Sequence, residues 1–138
     1  MSLELELREK FRFYEISQQE KKIILCKLKE VLKSRSEVLV AVLYGSFLRK
    51  YPFRDIDLAL YVKPQEDLLK YKFMLEKELS EEIGFPVDVK ILNYAPAWFI
   101  LEVFESGKVL LNRFGLLEKI YLKALDEVKY FEQFQIKE

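Results

Sequence analysis

Apolar residues recur along this chain with two periods, and the changes of period mark its elements. From residue 3 to residue 13 they alternate, with Leu3, Leu5, Leu7, Phe11 and Phe13 opposed by Glu4, Glu6, Arg8 and Arg12. That suits an extra strand or arm over residues 1–16, although the Glu, Leu and Lys content suits a helix as well. Ser17-Gln18-Gln19-Glu20 then fits a capping box, in which hydroxyl and carboxylate satisfy free amides at a helix start. Ile24, Leu28, Val31 and Leu32 carry the helical period to about Lys33. Glu37 to Tyr44 is apolar on both faces and rich in β-branched residues, which predicts a strand covered on both sides. A second strand is predicted over Asp55–Val62, stopped by Pro64. A helix follows from about Glu66 to Ile83, stopped by Gly84, and then a third strand over Pro86–Leu92. Ala97–Ser106 reads as a short helix closed by Gly107, Val109–Leu111 as a brief strand, and about Phe114 to Phe131 as a helix within a C-terminal segment 114–138. Helices and strands in this order predict one α+β domain over 1–138, a small mixed sheet with helices packed on it.

Composition narrows the chemistry. The chain has no histidine and one cysteine, so a histidine base, a histidine-ligated metal and a cysteine-ligated metal site are all excluded. Cys26, inside Ile23-Ile24-Leu25-Cys26, is expected to be a buried structural thiol. With 23 basic and 23 acidic residues the chain lacks the cationic surplus that bulk nucleic-acid binding requires. The longest clean apolar run, Val38 to Tyr44, is far short of the roughly 20 residues that span a bilayer, and no targeting pattern is seen, so a soluble cytoplasmic protein is expected. What is left for chemistry is carboxylates, hydroxyls, Lys, Arg and a hard metal ion.

Three aspartates stand out. Asp55 and Asp57 are two apart in a strand, so both project from one face. Two anions on one face repel unless a cation lies between them, or unless that end of the strand is simply wet. Asp88 interrupts Pro86-Val87-Asp88-Val89, on the face opposite Val87 and Val89. If its strand pairs beside the second, Asp88 joins the other two, and three carboxylates suffice for two divalent ions. Asp88 is also a candidate to accept a proton from an attacking hydroxyl. Gly45-Ser46 directly follows the buried strand, where glycine permits a sharp turn and the serine hydroxyl with nearby amides can hold phosphate oxygens. Arg49, Lys50 and Arg54 add a local cation cluster. Trp98, Phe99 and Phe104 are aromatic enough to stack a base, but their place on a short amphipathic helix favours packing.

Leu43-Tyr44-Gly45-Ser46, eight further residues, and Asp55-Ile56-Asp57-Leu58 together resemble the signature of the DNA polymerase β-like nucleotidyltransferase superfamily. Val87 to Pro96 and Gly107-Lys108-Val109-Leu110-Leu111 are similar to its minimal nucleotidyltransferase (MNT) branch, and the likeness runs over about residues 20–125. The resemblance implies that Asp55, Asp57 and Asp88 bind two Mg²⁺ ions and that Gly45 and Ser46 hold the triphosphate of a nucleotide, ATP first among candidates; Arg49 and Arg54, from the local cation cluster, are expected to add to the nucleotide site. The resemblance also implies transfer of a nucleoside monophosphate to a hydroxyl, with pyrophosphate leaving. It further implies antitoxin action through a tyrosine of a HEPN toxin as partner; homo- and hetero-oligomer are both left open by the sequence. The chain departs from many MNT antitoxins in three ways: eight rather than ten residues between Gly-Ser and Asp-x-Asp, Lys50 where glycine is common, and Arg54 where serine is common. Two other readings share the motif: a binding module that neutralises its partner by contact alone, and a transferase acting on RNA or a small-molecule hydroxyl.

Overall fold

The structure, a computed structural model, describes residues 13–49 and 52–136. Of the expected arm over residues 1–16, residues 1–12 lie outside the described residues, as does the cation Lys50; Tyr14 makes an isolated antiparallel bridge with Phe53. Helix α1 (Gln18–Lys33) leads into strand β1 (Val38–Tyr44), and a one-turn 3₁₀ segment (Ser46–Leu48) follows the Gly45 bend. Then come β2 (Ile56–Val62), α2 (Leu68–Ile83), β3 (Val87–Ile91), a second 3₁₀ turn (Leu92–Tyr94), α3 (Ala97–Ser106), β4 (Lys108–Asn112) and α4 (Leu116–Ile136). Among the described residues, no helix is long and apolar enough to cross a membrane.

The helix ends show local chemistry at work. Ser17 Oγ accepts from Glu20 N at 3.1 Å, the hydroxyl half of the expected capping box. Asp67 caps α2 by accepting from Lys70 N at 3.1 Å, which moves the start from Glu66 to Leu68. The last helix begins at Leu116, not Phe114, because Phe114 and Gly115 both take left-handed conformations (φ 59° and 66°) that a helix does not accept. It also runs on past Phe131 to Ile136.

The sheet order is β3-β2-β1-β4, with β2 and β3 parallel and the other pairs antiparallel. This is the mixed sheet of an α+β fold. One face buries Ala41, Leu43, Leu58, Leu60, Val62, Val87 and Val89 against Ile24, Leu28 and Leu32 of α1 and Leu75, Leu79 and Ile83 of α2. The other face buries Val40, Val42 and Ala59 against Ile100 and Val103 of α3 and Ala124 of α4. Val38 lies on the α1 side with Ala41 and Leu43 because the β1–β2 register shifts between Val38 and Val40, reversing the alternation once. β1 is therefore covered on both faces, as its composition requires.

The expected burial of Cys26 is corrected: its thiol is exposed. Ile24, Leu28 and Leu32 form the buried line of α1, and a residue two positions from Ile24 is turned roughly 200° around the helix from it, away from the core. Gly107 does more than end α3. A Cβ there would stand 2.5 Å from Val103 O, 2.6 Å from Val42 Cγ1 and 2.8 Å from Leu43 O, so the missing side chain lets the helix end lie directly on β1. Gly107→Ala is expected to cost about 1–3 kcal/mol, the usual range for overpacking, measured by urea unfolding with an unchanged m-value.

Candidate active site

Each aspartate reaches the site through its strand. In the parallel β2–β3 ladder Asp57 stands opposite Asp88, and in the antiparallel β1–β2 ladder Asp57 stands opposite Tyr44. Asp55 immediately precedes β2 and shares the face of Asp57. Ligand oxygens of Asp55, Asp57 and Asp88 all lie within 4.8 Å of one another. The sequence expectation was conditional on strand pairing, and the pairing brings the three together. Ala59, two residues further along β2, is buried under α3 and α4. At the Asp57 end the same face is only half covered, so the carboxylates are partly solvated.

Their electrostatics follow from this crowding. Burial first, then the charges of Asp55 and Asp88 and a hydrogen bond to Asp55, push the Asp57 carboxyl up to about 7, against an opposing pull from Lys90. Burial and the same acids raise the Tyr44 phenol above its ordinary value. Lys90, two residues after Asp88 on the same face, sits 3.9 Å from Asp88 Oδ2. Three hard oxygen donors in reach of one another, with Asp57 lifted by its neighbours, suit a divalent ion that keeps further ligand positions for water or phosphate.

Gly45 makes the floor of the site. Its φ of 82° and ψ of −157° lie in a region essentially reserved for glycine, and an added Cβ would collide with Asp57 Oδ2. The backbone thus passes directly against the carboxylate. Ser46, half-buried, opens the 3₁₀ turn beside it. Arg49 is exposed at the end of that turn and, among the described residues, makes no ion pair with the three aspartates; Arg54 is exposed in the bend before Asp55.

Several supporting residues escape sequence reasoning because they act from elsewhere in the chain. Lys21 Nζ, from α1, donates to Phe47 O at 2.9 Å and Arg49 O at 2.8 Å, tying down the loop after Gly45-Ser46, and its burial lowers its pKa. Phe53 is fully buried, packs edge-on against Phe47 with ring centroids 5.0 Å apart, and is bridged through its backbone to Tyr14. The two ends of the eight-residue loop are therefore tied together by an aromatic contact, with the Phe53 end bridged to Tyr14. On the other side of the trio, Glu76 of α2 accepts from Val89 N at 2.8 Å and Ser80 Oγ from Val87 N at 2.9 Å, holding the strand on both sides of Asp88. Asn93 pairs with both the N–H and C=O of Val62, at 3.0 and 2.8 Å, and so prolongs the β2–β3 ladder. The only forward signal was the lysine and aromatic residues themselves; the Phe47 carbonyl that Lys21 holds lies 26 positions away. Lys21→Met is expected to leave folding intact and to loosen that loop, since both carbonyl contacts are lost; faster amide hydrogen exchange at Leu48 and Arg49 checks it.

The aromatic expectation is corrected in part. Phe99 and Phe104 pack against the second core, but Trp98 is 63% exposed, because α3 buries Ile100 and Val103 and Trp98 faces away from that line.

No curated protein matches this chain in sequence. By fold it is similar to a chain from the complex of a tri-AMPylated Shewanella oneidensis HEPN toxin with an MNT antitoxin, at 19% identity and a TM-score of 0.67 over 85% of this chain and 93% of that one. It is also similar to a chain of the toxin-antitoxin MntA-HepT, at 18% identity and a TM-score of 0.66 over 84% and 93%. A chain of a toxin-antitoxin with AMP-PNP gives 19% identity and a TM-score of 0.65 over 82% and 93%. Residues 26–114, which hold the Gly45 bend and all three aspartates, match the family model described as polymerase beta, nucleotidyltransferase, and the chain belongs to that family.

Proposed function

We propose that this protein is a Mg²⁺-dependent nucleotidyltransferase that moves AMP from ATP to a hydroxyl of a partner protein, with a tyrosine of a HEPN-domain toxin as acceptor. The observation that carries the reading is the convergence of Asp55, Asp57 and Asp88 beside a glycine turn that brings backbone into contact with the carboxylates. The fold neighbours support the choice of nucleotide and acceptor, since one complex contains an AMPylated HEPN toxin and another AMP-PNP.

In this reading Asp55, Asp57 and Asp88 hold two Mg²⁺ ions, which when bound neutralise the carboxylates and stabilise charge on the reacting phosphate. The Gly45 turn and Ser46 receive phosphate oxygens, and Arg49 and Arg54 add positive charge from the loop. The acceptor oxygen forms a bond to the α-phosphorus while the bond to the bridging oxygen breaks. Pyrophosphate leaves with the electron pair, and Asp88 takes the hydroxyl proton. Little covalent work falls to the protein, so positioning and charge dominate.

Incubation with α-labelled ATP, Mg²⁺ and a HEPN-domain protein from the same genome is expected to label that protein, and Asp55→Ala/Asp57→Ala to abolish labelling. Equal labelling by the double variant overturns the proposal. Neutralisation of the partner by an unlabelling double variant would instead favour action by contact alone.

A further inference from the structure

Beyond the carboxylates, a groove of about 380 Å³ wraps the outer edge of β3, between the start of α2 and the start of α3. Leu69, Tyr94, Trp98 and Phe99 supply an apolar wall, and Lys72 and Lys90 also line the groove. Leu69, Tyr94 and Trp98 are 57%, 59% and 63% exposed, so this wall is uncovered. We infer that this groove docks the acceptor: an apolar segment of the partner protein that carries the hydroxyl, flanked by acidic residues. The inference rests on the transferase reading above and adds the place and chemistry of its second substrate.

Three observations select this occupant. The groove is continuous with the site, for Lys90 lines it and stands 3.9 Å from Asp88, while Phe99 packs edge-on against Trp98 at 5.9 Å and against Tyr44, the cross-strand partner of Asp57, at 5.8 Å. Sheet order gives the direction: Asp88 lies on the outer strand β3, Asp57 on β2 and the Gly45 turn at the end of β1, so groove and phosphate-side turn flank the carboxylates from opposite sides. In-line displacement needs the attacking oxygen and the leaving pyrophosphate on opposite sides. Charge agrees as well, because the half-exposed Lys90 ammonium favours an acidic neighbour of the hydroxyl. Strand addition at this edge is opposed, since Val87 N and Val89 N already donate to Ser80 and Glu76. Recognition therefore falls to side-chain anchors, for which exposed aromatic rings are the usual partners.

Trp98→Ala and Leu69→Ser, whose side chains stand in solvent, test the groove with the HEPN-domain protein as probe. Labelling of that protein is expected to fall at least tenfold through a raised KM for it, with Mg²⁺·ATP affinity within twofold of wild type. Trp98, the single tryptophan of the chain, is expected to keep its fluorescence on addition of Mg²⁺·ATP alone. Wild-type labelling by both variants overturns the inference, as does a tenfold loss of ATP affinity, which would make the groove a base site. If wild type labels nothing, the transferase reading fails, and complex formation decides the groove separately. Binding lost in Trp98→Ala yet kept in Asp55→Ala/Asp57→Ala supports docking; binding kept in both overturns it.

Discussion

Asp57→Asn is expected to lower nucleotidyl transfer by at least about a thousandfold, while making the magnesium-free protein more stable at pH 8. Both effects have one source. Burial and then repulsion from Asp55 and Asp88 lift the Asp57 carboxyl to about 7, and the repulsion is what a divalent ion relieves. Metal stabilisation of transition-state charge is worth several kcal/mol, and each 1.36 kcal/mol is about tenfold in rate. The sign of the stability effect follows from proton binding. Between the ordinary value of 3.8 and about 7, the folded protein holds a proton on Asp57 that the unfolded chain has released. Stability of the metal-free protein therefore falls as pH rises through that window and stays lower above it. Thermal melts from pH 4 to pH 8 are expected to show this decline in wild type and a flatter profile in Asp57→Asn. Added Mg²⁺ is expected to raise the wild-type melting temperature more at pH 8 than at pH 5, since it binds the deprotonated trio. A wild-type profile that rises from pH 4 to pH 7 through this group, or an active Asp57→Asn, contradicts the assignment.

Gly45→Ala is the second large effect, and it comes through the backbone. The position combines a φ of 82° with contact against Asp57, so a methyl group strains the turn and displaces the carboxylate together. Holding a side chain in that backbone region costs about 1–3 kcal/mol. Displacement of Asp57 by about an ångström is expected to cost a further hundredfold or more in rate. Chemical denaturation and single-turnover transfer separate the two parts. The loss of rate should exceed that of Ser46→Ala, which removes one hydroxyl and leaves the turn intact. A Gly45→Ala protein with wild-type stability and rate would show that the bend is only a connection.

The extent to which the site was legible follows from how local each determinant is. Asp55 and Asp57 could be paired from their spacing, because a strand's period of two requires no partner to be known. Gly45 could be placed because it ends an apolar run. Asp88 could be recognised as out of place among valines, but its distance from Asp57 depended on which strand lay beside β2, and only hydrogen bonding across the sheet decides that. Lys21, Phe53, Glu76 and Ser80 were not legible at all as site supports. A lysine in an amphipathic helix looks like any solvated residue until the carbonyls of Phe47 and Arg49 arrive from another element. The same limit explains Trp98, whose helix was found while the side chain's neighbours were not.

Order and type of the four α-helices and four strands described, the helix caps at Ser17 and Gly84, and the identities of the three carboxylates were determined by sequence alone, since periodicity, capping and side-chain chemistry act within a few residues. Tertiary structure decided the β3-β2-β1-β4 order, the pinning of the short loop, the lifting of the Asp57 carboxyl and the groove beside Asp88. Each of these depends on groups distant in the chain coming within a few ångströms, where packing, shared hydrogen bonds and unscreened charge first take hold.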